Sequence, residues 1–212
     1  MHNIISSKYV KPKGFTLIEL LIVIAILAIL STVTVLVLNQ AELLRQARDA
    51  QRVSDLAALH GALSLYLLMV SSSDLDAISN RCLNESPPGT ASCFTDQQFF
   101  APSPLPNGCG VSGTSPLVPV YSVNKSINGT GWLPVNFTLV PGGSPLITLP
   151  RDPTSGLNNY YTFICNQGNR TYELNAWLES VKYGPTKENL AGKDGGSSVF
   201  IYEVGTDPGL DL

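Results

Sequence analysis

Hydrophobic and polar positions divide the chain into four textures. From Phe15 to Leu38, 24 residues carry a single charge, Glu19, and the run "LLIVIAILAIL" shows no polar face of the kind a soluble core helix has. At ~1.5 Å per residue such a helix reaches ~36 Å, enough to cross the hydrocarbon of a bilayer. The pattern predicts a transmembrane helix. From Asn39 the texture changes, and "NQAELLRQARDAQRVSDLAALHGALSLYLLMV" has no proline, one glycine and an apolar row at Val53, Leu56, Leu59 or His60, Leu63 and Leu67. That spacing is the period of an amphipathic helix. The two stretches together predict one helix from Phe15 to about Val70, ~84 Å long at 1.5 Å per residue. Its upper half has a head to pack on, whereas its lower half, out of the bilayer, needs copies of itself.

After Val70, twelve of the fifteen prolines fall between Pro87 and Pro153 amid Gly, Ser and Asn, which predicts long loops with short strands. Strand signals follow at "VPVYSVN", "WLPVNFTLV", "NYYTFICN", "TYELNAWLE" and "SVFIYEV", and "NQGN", Asn166 to Asn169, is a tight-turn signal between two of them. The predicted fold class is α+β, a long N-terminal helix with a small antiparallel sheet. Its parts are a basic leader (1–14), a membrane and assembly helix (15–38), an amphipathic continuation (39–70), a loop region (71–158), and a sheet with a C-terminal loop (159–212).

Charge gives the anchor a direction. Lys8, Lys11 and Lys13 precede Gly14 with no acid beside them, leaving ten basic and sixteen acidic residues after it, a net −6. The positive-inside bias keeps the N-terminus in the cytoplasm and sends the head out. An acidic head disfavours nucleic acid as a partner. All four cysteines, Cys82, Cys93, Cys109 and Cys165, lie in that head, none in a CxxC pair, so two disulfides in an oxidising compartment fit better than zinc. Loop length favours Cys82 with Cys93 and Cys109 with Cys165 among the three connectivities.

Between anchor and head, Glu42 with Arg45, Arg45 with Asp49, and Arg52 with Asp55 stand three or four residues apart, which predicts solvated helix pairs or ion pairs between subunits. Phosphate-loop, GxSxG and HExxH signatures are missing, and His60 sits in a helix beside apolar neighbours, so no enzyme activity and no small-molecule substrate are expected. Five N-x-S/T triplets begin at Asn84, Asn124, Asn128, Asn136 and Asn169, and no modification is assigned to them.

The junction "KPKGFTLIELLIVIAILAIL" resembles the N-terminus of bacterial type IV pilins and of the pseudopilins of type II secretion and competence systems. The resemblance implies cleavage by prepilin peptidase after Gly14 and N-methylation of the new terminus, Phe15. It implies lipid around the helix before assembly, then an assembly platform and assembly ATPase in the inner membrane, and finally an extracellular filament of identical copies. It also implies that Glu19 of an incoming subunit meets the Phe15 amine of its neighbour. A carboxylate in hydrocarbon costs on the order of 2.5 to 3.5 kcal/mol, which such a partner offsets. Many pilins have a Pro with an upstream Gly in this span; here Leu36 and Ala28 stand there, which predicts a more continuous helix. The tail "GKDGGSSVFIYEVGTDPGLDL" resembles the C-terminal calcium loop of major pseudopilins, with Asp194 as the candidate ligand, although neither an EF-hand spacing nor an adjacent acid supports Ca2+. The rival readings are a pseudopilin of a secretion or DNA-uptake machine and, from another class, an uncleaved membrane-anchored surface binding protein.

Overall fold

A computed structural model describes residues 14–37, 39–77, 81–83, 92–96, 118–154 and 159–207. They form helices α1 (Leu17–Val37) and α2 (Gln40–Met69) and strands β1 (Ser92–Thr95), β2 (Val118–Tyr121), β3 (Tyr161–Asn166), β4 (Thr171–Trp177) and β5 (Ile201–Gly205), with a 3-10 turn at Phe137–Leu139. The chain divides into two compact units, Met1–Ala41 and Glu42–Leu212. The architecture is α+β.

The single helix expected from Phe15 to about Val70 is instead two. α1 passes through Ala28 and Leu36 and ends at Val37, and Asn39 is not helical. "STVTVLV" supplies the physical reason. Its β-branched residues are weak helix formers, and its hydroxyls bond back onto the helix, Ser31 Oγ to Leu27 O (2.6 Å), Thr32 Oγ1 to Ala28 O (2.8 Å) and Thr34 Oγ1 to Ser31 O (2.8 Å). Such back-bonding competes with the ladder and bends helices.

In the second unit α2 buries Leu56, Leu59, Ala62, Leu63 and Tyr66, the face that its apolar period predicts. These residues pack with Phe163 and Cys165 of β3, Tyr172, Leu174 and Ala176 of β4, and the loop residues Trp132, Leu133, Val135, Phe137 and Leu149. The sheet order is β2-β1-β3-β4-β5, with the β3–β4 hairpin central and buried. The pairs β1–β3, β3–β4 and β4–β5 are antiparallel, whereas β1 and β2 run parallel, a departure from the antiparallel sheet expected. "WLPVNFTLV" forms no strand: Pro134 lacks the N–H that a ladder needs, and Asn136 caps the 3-10 turn by accepting from Thr138 N. Its apolar residues enter the core as loop anchors instead, and Trp132 Nε1 donates to Pro150 O at 2.8 Å.

The disulfide pairing is also corrected. Cys82 bonds Cys165 across a sequence separation of 83, which overturns Cys82 with Cys93 and Cys109 with Cys165. Leu83 N donates to Cys165 O (2.8 Å) and Leu83 bridges Asn166, so the segment before β1 lies along the end of β3, a proximity that loop length does not register. Closing so long a loop stabilises by about 4 to 5 kcal/mol in the chain-entropy account. Cys93 is disulfide-bonded as well; Cys109 lies outside the described residues. Peptide mapping without reduction is expected to recover Cys82 linked to Cys165, and a Cys82–Cys93 peptide would contradict the fold.

The N-x-S/T triplets have a structural explanation. Asn124, Asn128 and Asn136 each accept, on Oδ1, the backbone N–H of the residue two ahead (3.0, 3.2 and 3.1 Å) and its hydroxyl (2.7, 2.7 and 2.6 Å). Asp152 does the same with Thr154 at 2.8 and 2.6 Å. These are Asx turns, and they fold a proline-rich loop that has few ladder bonds. Asn169 lies in the β3–β4 turn, its N–H donating to Asn166 Oδ1, and Asn84 lies outside the described residues.

Candidate functional site

In the N-terminal unit the chemistry of the described residues is concentrated at the first turn of α1. Phe15 is 81% exposed, and the described side chains from Leu17 to Thr34 are exposed as well. Residues Leu17–Thr34 have a mean hydropathy of 2.7, long and apolar enough to cross a membrane. Thr16 N and Thr16 Oγ1 both donate to Glu19 Oε2, at 2.9 and 2.8 Å, and Glu19 N donates to Thr16 Oγ1 at 3.3 Å. This is a reciprocal capping box, in which the carboxylate satisfies an orphan donor at the helix start and lies where the macrodipole favours negative charge. The T-x-x-E spacing before an apolar run is a legible signal, and reading Glu19 only as the partner of an amine misses it. Among the described residues nothing lies within 4 Å of a Cβ built on Gly14.

Residues 11–35 carry the prokaryotic N-terminal methylation motif. That motif is the signature of type IV pilins and pseudopilins, whose members are structural subunits. It spans Gly14, Phe15 and Glu19 together with most of α1 and nothing of the head. No curated protein and no solved structure matches the chain.

In the head, the charged positions expected as surface pairs form a buried lock instead. Arg52 turns from Asp55 to Asp152, with Nε to Oδ2 at 2.6 Å and Nη2 to Oδ1 at 3.0 Å, while Nη1 donates to Asp49 Oδ1 (2.8 Å) and Glu179 Oε1 (2.7 Å). Arg48 makes a fork onto Glu179 at 2.7 and 2.8 Å. Asp49 pairs with Arg52 rather than Arg45 and takes the N–H groups of Glu179 and Ser180, while Glu42 takes those of Val181 and Lys182. Asp55 accepts the Tyr161 hydroxyl at 2.8 Å. The physical reason for the change is position: this face of α2 meets the segment after β4, the loop at Asp152 and Tyr161 of β3, so tertiary partners join the one helical pair that forms, Asp49 with Arg52. His60 faces the Tyr172 hydroxyl at 3.1 Å.

Asp194 Oδ1 accepts Gly196 N (2.9 Å) and its Oδ2 accepts Glu203 N (2.8 Å), so both oxygens close its own loop. Among the described residues no group of three or more His, Cys, Asp or Glu forms a metal cluster. Asp194 is thus held by its own turn, with the Glu203 carboxyl near its charge.

Opposed shifts govern the head's response to pH. The Arg48 hydrogen bond, then those from Arg52, holds Glu179 down to about 2, so its contribution is full above the unfolded carboxylate value and is lost as pH falls from about 4.5 toward about 2. Burial pushes Asp96 up to about 6, and burial with the nearby Asp194 charge pushes Glu203 up to about 7. The folded state holds those two protons more tightly than the unfolded state, so stability drops as pH rises through that window. Urea midpoints are expected to peak between about pH 4 and 5, with Glu203→Gln flattening the limb above pH 5. A midpoint that climbs steadily to pH 8 would refute these directions.

Proposed function

We propose that the chain is the structural subunit of a type IV pilus-like extracellular filament. Prepilin peptidase cuts after Gly14, the new Phe15 amine is methylated, and the helix leaves the inner membrane for the filament through an assembly platform driven by its ATPase. The carrying observation is a 21-residue helix that is exposed along its described side chains and bears one carboxylate at its first turn. Exposed apolar area of this kind is compatible with two surroundings, lipid before assembly and copies of the same chain after it.

Within this reading Glu19 sets the register. Apolar packing between parallel helices attracts without fixing their axial stagger, whereas a single buried carboxylate accepts only a stagger that brings it a cation. Both capping donors fall on Oε2, which leaves Oε1 to meet the Phe15 amine of a neighbouring copy. The head, outside the membrane, is held by a disulfide that requires an oxidising compartment.

Mass spectrometry of fibres sheared from cells tests the proposal. The expected result is this chain beginning at methylated Phe15. A chain that keeps Met1 and stays in the membrane overturns it in favour of an uncleaved anchor, while a processed chain confined to the envelope indicates a pseudopilus.

A further inference from the structure

The turn that follows α2, "SSSDLD" from Ser71 to Asp76, places two aspartates beside a buried serine. The turn is fixed on every side. Tyr66 Oη donates to Asp74 O and accepts from Asp74 N, both at 3.0 Å, while Gln167 receives Leu75 N at Oε1 (2.9 Å) and donates from Nε2 to Ser73 O (2.8 Å). Asp74 Oδ1 takes Asp76 N at 3.0 Å, and Asp76 Oδ2 takes the N–H groups of Arg81 and Cys82.

One oxygen of the buried carboxylate is left over. Asp76 is 1% exposed and Ser73 3%, yet among the described residues neither Asp76 Oδ1 nor Ser73 Oγ has a hydrogen-bond partner. Burial raises the Asp76 carboxyl above its ordinary value, with the neighbouring Asp74 charge adding to the effect. No basic residue occupies the last turn of α2, whose free carbonyls already favour a cation. The Arg81 side chain is directed to Ser92 Oγ, and Arg170 Nη2 donates to Ser71 O. A buried carboxylate oxygen and a buried hydroxyl without partners are costly unless something satisfies them.

We infer that Asp74, Asp76 Oδ1 and Ser73 Oγ form a binding site for a hard divalent cation, Ca2+, at the end of α2. The donors are all oxygen, as Ca2+ prefers, and two carboxylates neutralise its charge. Three side-chain groups leave the rest of the shell to carbonyls and water, which places the affinity in the weak range of extracellular calcium modules, Kd about 0.1 to 1 mM. The site is separate from the C-terminal loop, where Asp194 accepts the N–H groups of Gly196 and Glu203.

The test is thermal unfolding of the full chain in detergent, followed by fluorescence of the buried Trp132, with EGTA or with Ca2+ at about ten times Kd. Calcium is expected to raise the Tm by about 3 to 5 °C. Mg2+, which demands tight octahedral geometry, is expected to give a much smaller shift. Asp76→Asn and Asp74→Asn are each expected to abolish the calcium shift, and Asp194→Asn to keep it. Without calcium, Asp76→Asn is expected to melt above the native chain because it removes an uncompensated buried charge; should that variant fail to fold, Asp74→Asn carries the test. The inference is overturned if the native chain shows no calcium shift, if the shift survives in Asp74→Asn, or if Asp194→Asn removes it.

Discussion

Replacing Arg52 with alanine is expected to destabilise the head by about 3 to 5 kcal/mol, the cost of breaking a buried ion pair from one side. At 2 to 4 °C per kcal/mol for a unit of this size, the Tm falls by about 6 to 20 °C. Arg52 has no exposed side-chain surface, and each of its five N–H donors has an acceptor: Nε on Asp152, Nη1 on Asp49 and Glu179, and Nη2 on Asp152 and Thr154. Alanine leaves Asp49 and Asp152 as buried charges without their cation. Lysine does not rescue this geometry, because its three donors radiate from a point and cannot form a planar fork on Asp152.

The pH dependence of the variant separates a charge effect from a cavity effect. A deficit that comes from uncompensated buried charge shrinks as acid neutralises that charge. A loss that stays constant as the pH falls identifies packing as the main contribution. A Tm within about 2 °C of the native chain at pH 7 would refute the lock altogether.

The difference between what the sequence makes legible and what it hides follows from range. α1 and the buried face of α2 are written in local periodicity, and the β3–β4 hairpin in two apolar runs on either side of a turn, so each is readable from a dozen consecutive residues. Arg52 is different. Its best partner, Asp152, is 100 residues away, while Asp55 stands one turn along the same helix and offers a plausible false pair. The same blindness affects Cys82, whose partner is set by a bridge between Leu83 and Asn166 rather than by loop length. β1 escapes notice because four residues in a proline-rich region carry too little alternation, and its pairing on β3 is decided by the whole core. At the first turn of α1 the signal is present in "TLIE", but a carboxylate in an apolar run draws attention to its charge before its spacing.

That spacing bears on the largest effect expected of any single residue. Glu19→Ala is expected to reduce sheared fibre by at least two orders of magnitude without reducing the amount of processed subunit in the membrane. In the bilayer the substitution removes a charge costing about 2.5 to 3.5 kcal/mol, so the inserted monomer is no less stable. In the filament it removes the pair with the Phe15 amine, and both changes move the equilibrium toward monomer at about 1.4 kcal/mol per tenfold. The capping box offers a competing account, in which Glu19 only holds the first turn of α1, worth about 1 kcal/mol and roughly a fivefold effect. Glu19→Gln separates the two, because glutamine at the third helical position keeps the acceptor for Thr16 N and loses the charge. Register through an ion pair requires Glu19→Gln to fail like Glu19→Ala, with Thr16→Ala losing fivefold at most. Capping requires the reverse: Glu19→Gln assembles like the native chain and Thr16→Ala falls as far as Glu19→Ala. Under the proposed register the cap uses Oε2 and leaves Oε1 for the pair, so the helix start can be ordered before the amine of a second copy arrives.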